Sequence, residues 1–189
     1  MTDYKNDIWQ YLKTHTALPD EAIAGIMGNF EAESNCEPCR LQGDFSADRA
    51  LSKAYAAKVD SGDLYKFTSG FYGFGLAQWT YPTRCQNLYN FCNQVGEPKR
   101  SVADLDAQLD FCILEMQTEY ASMWKQLLNC TDIIKATELV VKEYERPAQI
   151  NLDTRVKFAR EIYNSFHSAV VADEKEAIKA QIRELLEKL

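Results

Sequence analysis

Apolar side chains recur at helical spacing along almost the whole of this chain, and the every-other-residue alternation of a half-buried strand is nearly absent. The clearest case runs from 102 to 120, where Leu105, Leu109, Cys112, Ile113 and Met116 fall on one helical face. Similar stripes predict helices around Ile8 to Leu12 and over 47–59, 83–95, 122–128, 132–144 and 152–171. A further helix starts at Pro19-Asp20-Glu21, carries Ala22, Ile23, Ile26, Met27 and Phe30, and must end before Pro38, because proline pushes the preceding residue out of the α region. Asp60-Ser61-Gly62-Asp63 is a breaker. The pattern restricts the fold class to all-α.

With 189 residues, 46% of them hydrophobic and 12% aromatic, the chain suffices for one compact core plus an appendage. The composition changes from Asp173-Glu174-Lys175-Glu176 onward; residues 1–167 are read as one domain and 168–189 as a helical extension. Within that extension Ile178, Ile182, Leu185 and Leu189 make a short heptad-like seam, which suits a charged linker helix or a self-associating segment. A net charge of −7 argues against nucleic acid or an anionic membrane as the main partner. The polar N-terminus predicts neither a signal peptide nor an anchor, and hence a protein made and held in a cytoplasm.

Two stretches stand out from this background. The helix after Pro19 closes on Asn29-Phe30-Glu31-Ala32-Glu33-Ser34, with Asn29 and Glu33 four residues apart on one face at the edge of the apolar stripe. A carboxyl so placed is partly screened from water, a setting that raises its pKa. The second stretch, Gly70 to Thr80, interleaves three glycines with Phe71, Tyr72, Phe74 and Trp79, which predicts backbone lying close to another body.

Gly28-Asn29-x-x-x-Glu33-Ser34, Gly73-x-Gly75-Leu76-x-Gln78-Trp79-Thr80 and Tyr144-Glu145-Arg146-Pro147-Ala148, in this order, resemble the motifs of the phage tail-tip lysozyme domains that also head many endolysins. The resemblance spans about Ile8 to Phe166 and extends to goose-type lysozymes and lytic transglycosylases. It implies a helical lysozyme-like fold that cleaves the β-1,4 bond between N-acetylmuramic acid and N-acetylglucosamine in peptidoglycan strands, with Glu33 as general acid. By the same resemblance Asn29, Ser34, Tyr72, Gly75, Gln78, Trp79 and Tyr144 would contact substrate. The product is left open between a hydrolysed sugar and a 1,6-anhydro sugar, and a wall-binding module without catalysis is the rival of a different class. An endolysin would wait in the host cytoplasm for release, whereas a tail component would enter with the virion; residues 173–189 could join a wall-binding domain.

Glycosidases commonly pair two carboxyls, and Asp44 and Asp48 are the candidates for a second acid, unless the substrate's acetamido group takes that role. Glu31 and Glu37 read as surface residues, and Glu145 with Arg146 as an ion pair or a helix cap. Trp79 is open between a sugar platform and a core residue. Cys36-Glu37-Pro38-Cys39 is a C-x-x-C, but only His15 and His167 exist to complete a zinc site, so no metal and no other cofactor is expected. Cys85, Cys92 and Cys112 read as small core hydrophobes.

Overall fold

The computed structural model describes residues 4–167; the seam at 173–189 lies outside them. The helices are α1 (Lys5–His15), α2 (Asp20–Ser34), α3 (Ala50–Asp60), α4 (Pro82–Cys92), α5 (Leu105–Thr118), α6 (Ala121–Leu127) and α7 (Ile133–Leu139). The last runs directly into a π-helical turn, Val140–Glu145, and α8 spans 152–167. Pairing of extended backbone among the described residues is limited to two isolated antiparallel bridges, Leu41 with Phe74 and Phe74 with Trp79. The fold is thus all-α and lysozyme-like, as expected. No described helix is long and apolar enough to cross a membrane.

Helix α2 is the axis of the domain. Every residue from Ala22 to Phe30 is buried, so this helix lacks a wet face over more than two turns and must be surrounded by other elements. Helices α1 and α7 and the π-helical turn pack on it, and α8 closes the remaining side. Two glycines permit the approach. A Cβ on Gly25 would come within 2.7 Å of Ala136 Cβ on α7, and one on Gly28 within 2.7 Å of Ala159 Cβ and of the Arg155 carbonyl on α8.

Helix α2 ends at Ser34, four residues before Pro38, because Asn35 and Cys36 both turn left-handed, at φ 56° each. The Asn35 and Cys36 N–H groups close the last turn on the carbonyls of Glu31 and Phe30. The chain then leaves the core and forms the 37–81 excursion that carries α3. Replacing Gly28 by alanine should cost about 1–3 kcal/mol, since the added methyl meets backbone of α8 that cannot swing away. Urea denaturation of Gly28→Ala against the parent protein reads this directly.

Candidate active site

Glu33 emerges at the C-terminal end of α2 with its side chain 18% exposed, so the expected partial screening is present. Its neighbour, however, is a cation. Arg155 on α8, itself 6% exposed, donates from Nη2 to Glu33 Oε1 at 2.5 Å and from Nη1 to Asn29 Oδ1 at 3.0 Å. The Asn29 amide nitrogen in turn donates to the carbonyls of Gly25 at 2.8 Å and Thr137 at 3.2 Å. Asn29 is fully buried, so in place of the expected substrate contact it fixes the arginine that fixes Glu33. Sequence reasoning did not single out Arg155; the available signal was a carboxyl and an amide on one face of a buried helix, which together call for a cation.

A second carboxyl stands at this place. Glu145 closes the π-helical turn, and its Oε1 is enclosed without a hydrogen-bond partner, as is Arg155 Nε. Burial first and the negative charge of Glu33 second push the Glu145 carboxyl well above the ordinary carboxylate range, against the pull of Arg84 and Arg155. The expected structural pair with Arg146 is not formed. Arg146, left-handed at φ 49°, donates from Nε to the Glu143 carbonyl and lies over the Tyr120 ring.

The glycine-aromatic segment does approach another body, but that body is the protein itself. Gly75 N–H donates to the Arg40 carbonyl and Gln42 N–H to the Gly73 carbonyl, both at 2.8 Å. Gly75 sits at φ 78° with the Gln108 side chain 2.7 Å from where a Cβ would be. Buried Gln108 accepts from Leu76 N–H and donates to the carbonyls of Pro38 and Val102, organising the segment from within. Gln78 spends its amide on the carbonyls of Arg40 and Gly75, and Ser34 donates to the carbonyls of Phe30 and Leu76, tying the helix end to this segment. Gly75, Gln78 and Ser34 therefore hold the segment's shape.

Trp79 and Tyr144 also turn inward, each 1% exposed. Both donate to Glu115 Oε2, the indole N–H at 3.0 Å and the phenol at 2.7 Å. Glu115 is bound on both oxygens by Arg84, at 2.8 and 2.7 Å, and the Arg84 guanidinium stacks 4.5 Å from the Tyr144 ring centroid. A ring enclosed in this way offers no face to a sugar, so the core alternative holds for Trp79, and Tyr144 is corrected from cleft wall to core. Tyr72 remains outward, 41% exposed, on the rim of a recess of about 420 Å³ that also involves Leu51, Tyr55, Lys58 and Lys66.

Of the two candidates for the second acid, Asp44 is not free for chemistry. Asp44 is 1% exposed and accepts from the N–H and hydroxyl groups of both Ser46 and Ser52, which hold its carboxyl far below the ordinary range. Asp48 is exposed and accepts from Ala50 N–H at the start of α3. Glu37 departs from its surface reading: it is 7% exposed and paired with Arg49 at 2.5 Å. Cys85, Cys92 and Cys112 are core residues as read. No group of potential metal ligands occurs among the described residues.

Because the folded pKa of Asp44 is depressed, the stability it contributes is complete above the ordinary value of 3.8 and is lost as pH falls below it. Asp44→Asn should therefore be less stable at neutral pH yet lose less on acidification below about pH 4. Thermal unfolding from pH 7 to pH 2 measures both effects.

The buried helix ending in a fixed carboxyl, the Gly73 to Thr80 segment locked against it and the Tyr144-Glu145 turn beside it share one hydrophobic core. Residues 3–166 match the family model described as phage tail lysozyme, and the chain belongs to that family of cell-wall lytic proteins.

Proposed function

We propose that this protein is a phage-type muramidase that hydrolyses the β-1,4 bond between N-acetylmuramic acid and N-acetylglucosamine, with Glu33 as general acid. The observation that supports this most is the delivery of one carboxyl, 18% exposed, from the end of an otherwise buried helix, with its orientation set by an enclosed guanidinium. Protonation of a glycosidic oxygen needs an acid held at a fixed place beside the bond, and the Asn29-Arg155-Glu33 chain supplies that fixation. Proton delivery lets the C1–O bond break towards an oxocarbenium-like state, and water then completes hydrolysis.

The family's substrate is the peptidoglycan strand, and exposed Tyr72 is the aromatic of the expected set that keeps a face for a sugar ring. Such an enzyme serves equally as an endolysin released from the host cytoplasm or as a tail component that opens the wall on entry.

Glu33→Gln keeps an acceptor for Arg155 but has no acidic proton. It should lower glycan cleavage by about 10²–10⁴-fold, the scale of general acid catalysis, while binding to isolated cell walls persists. Undiminished lysis would remove Glu33 from the mechanism. Mass spectrometry of the muropeptides should show reducing ends; 1,6-anhydro ends would reassign the protein as a lytic transglycosylase, and wall binding without any product would reassign it as a binding module.

A further inference from the structure

Glu33 has to recover a proton in every turnover; of the carboxyls expected to assist it, Asp44 is saturated by Ser46 and Ser52, and Asp48 is an exposed surface carboxylate beside the start of α3. Glu145 differs from both. Its Oε1 is enclosed and unpartnered, although the residue as a whole reaches solvent. It projects from the π-helical turn that packs on α2, the helix that delivers Glu33. Arg155, whose other nitrogens are bound to Glu33 and Asn29, presents a second enclosed and unpartnered polar atom, Nε. Two unsatisfied buried polar atoms flanking one acid are costly to the fold, and such a cost is typically retained where a ligand or a proton is handled.

We propose that Glu145 is the second working carboxyl of this site, a proton store that shares one proton with Glu33 and reloads it after each cleavage. This rests on the reading of Glu33 as the general acid. The charged groups around Glu145 come from four elements: Glu33 on α2, Arg84 on α4, Glu115 on α5 and Arg155 on α8. Arg84 is occupied by Glu115, and Arg155 by Glu33, so neither cation is committed to Glu145. With neither cation committed to it, Glu145 is the member of the pair that carries the proton at rest. The cycle balances: the pair's proton goes to the glycosidic oxygen as the C1–O bond breaks, and the attacking water gives its oxygen to C1 and a proton back to the pair. Burial and the charge of Glu33 hold the Glu145 proton to higher pH than in a free carboxyl, consistent with storage.

Glu145 is thus a positioning residue, and its pH behaviour distinguishes this role from a structural one. Glu145→Gln should cut glycan cleavage at neutral pH about tenfold or more and move the alkaline limb of the pH-rate profile to lower pH, with activity recovering on the acid side. Glu145→Asp should restore part of the alkaline limb. A wild-type pH profile in Glu145→Gln would overturn the proposal.

Stability gives the second readout. Folded Glu145 binds its proton more tightly than the unfolded chain, so wild-type stability falls as pH rises above the ordinary value of 4.5. Glu145→Gln escapes that loss, and its unfolding temperature should match the wild type near pH 4 and exceed it progressively above. A lower unfolding temperature throughout would assign Glu145 a structural role and also overturn the proposal. Glu33→Gln, assayed in parallel, separates the two readings. If it is inactive while Glu145→Gln keeps the wild-type profile, the store alone fails; if it is fully active, the reading of Glu33 fails first.

Discussion

The enclosure of α2 on all sides is the constraint on which the rest of this molecule depends. A helix buried from Ala22 to Phe30 cannot hold polar groups in mid-length unless each finds a partner, and Asn29 meets that condition through two carbonyls and Arg155. The same arginine would be prohibitively desolvated without a counter-charge, and Glu33 provides it where the helix regains contact with water. Packing, charge compensation and the exposure of one carboxyl are therefore a single arrangement. The close approach at Gly25 and Gly28 sets how tightly α7 and α8 can hold it.

A second buried polar system supports the opposite side. Glu115 gathers Arg84, Trp79 and Tyr144, and Gln108 gathers Leu76, Pro38 and Val102. Both residues belong to α5 and both reach the segments flanking the site. The motif residues around Gly75 and Tyr144 thereby act at one remove: they make the walls rigid, and the exposed rim is left to other side chains such as Tyr72. Preorganisation of this kind, with supporting groups locked by their own hydrogen bonds, holds side chains at the site to a narrow range of positions.

The helices were legible because their burial is one-sided and periodic, as in α5, where Leu105 to Met116 marks the inner face in the sequence itself. Boundaries were less so: α2 stops at Ser34 through two left-handed residues, Asn35 and Cys36, of which Cys36 has no side-chain tendency to announce it. The exposed end of α2 at Glu33 was legible through its motif and the edge of the apolar stripe. Arg155 was not, since one cation in a helix carries no local mark of being buried against residues 122 and 126 positions away. Trp79 and Tyr144 misled for the same reason: an aromatic with a polar tip suits a sugar cleft and a hydrogen-bonded core equally, and what decided was Glu115, a distant acid.

The π-helical turn adds a constraint of another kind. Its widened ring, closed by Arg146 N–H on the Val141 carbonyl, takes in one residue more than an α-helical turn. That extra residue rotates everything after it by about 100° relative to an uninterrupted helix. Between Val140 and Glu145, chain length is accordingly restricted along with side-chain identity. In this stretch a one-residue deletion would relax the turn to ordinary helix and turn the Glu145 carboxyl to another face.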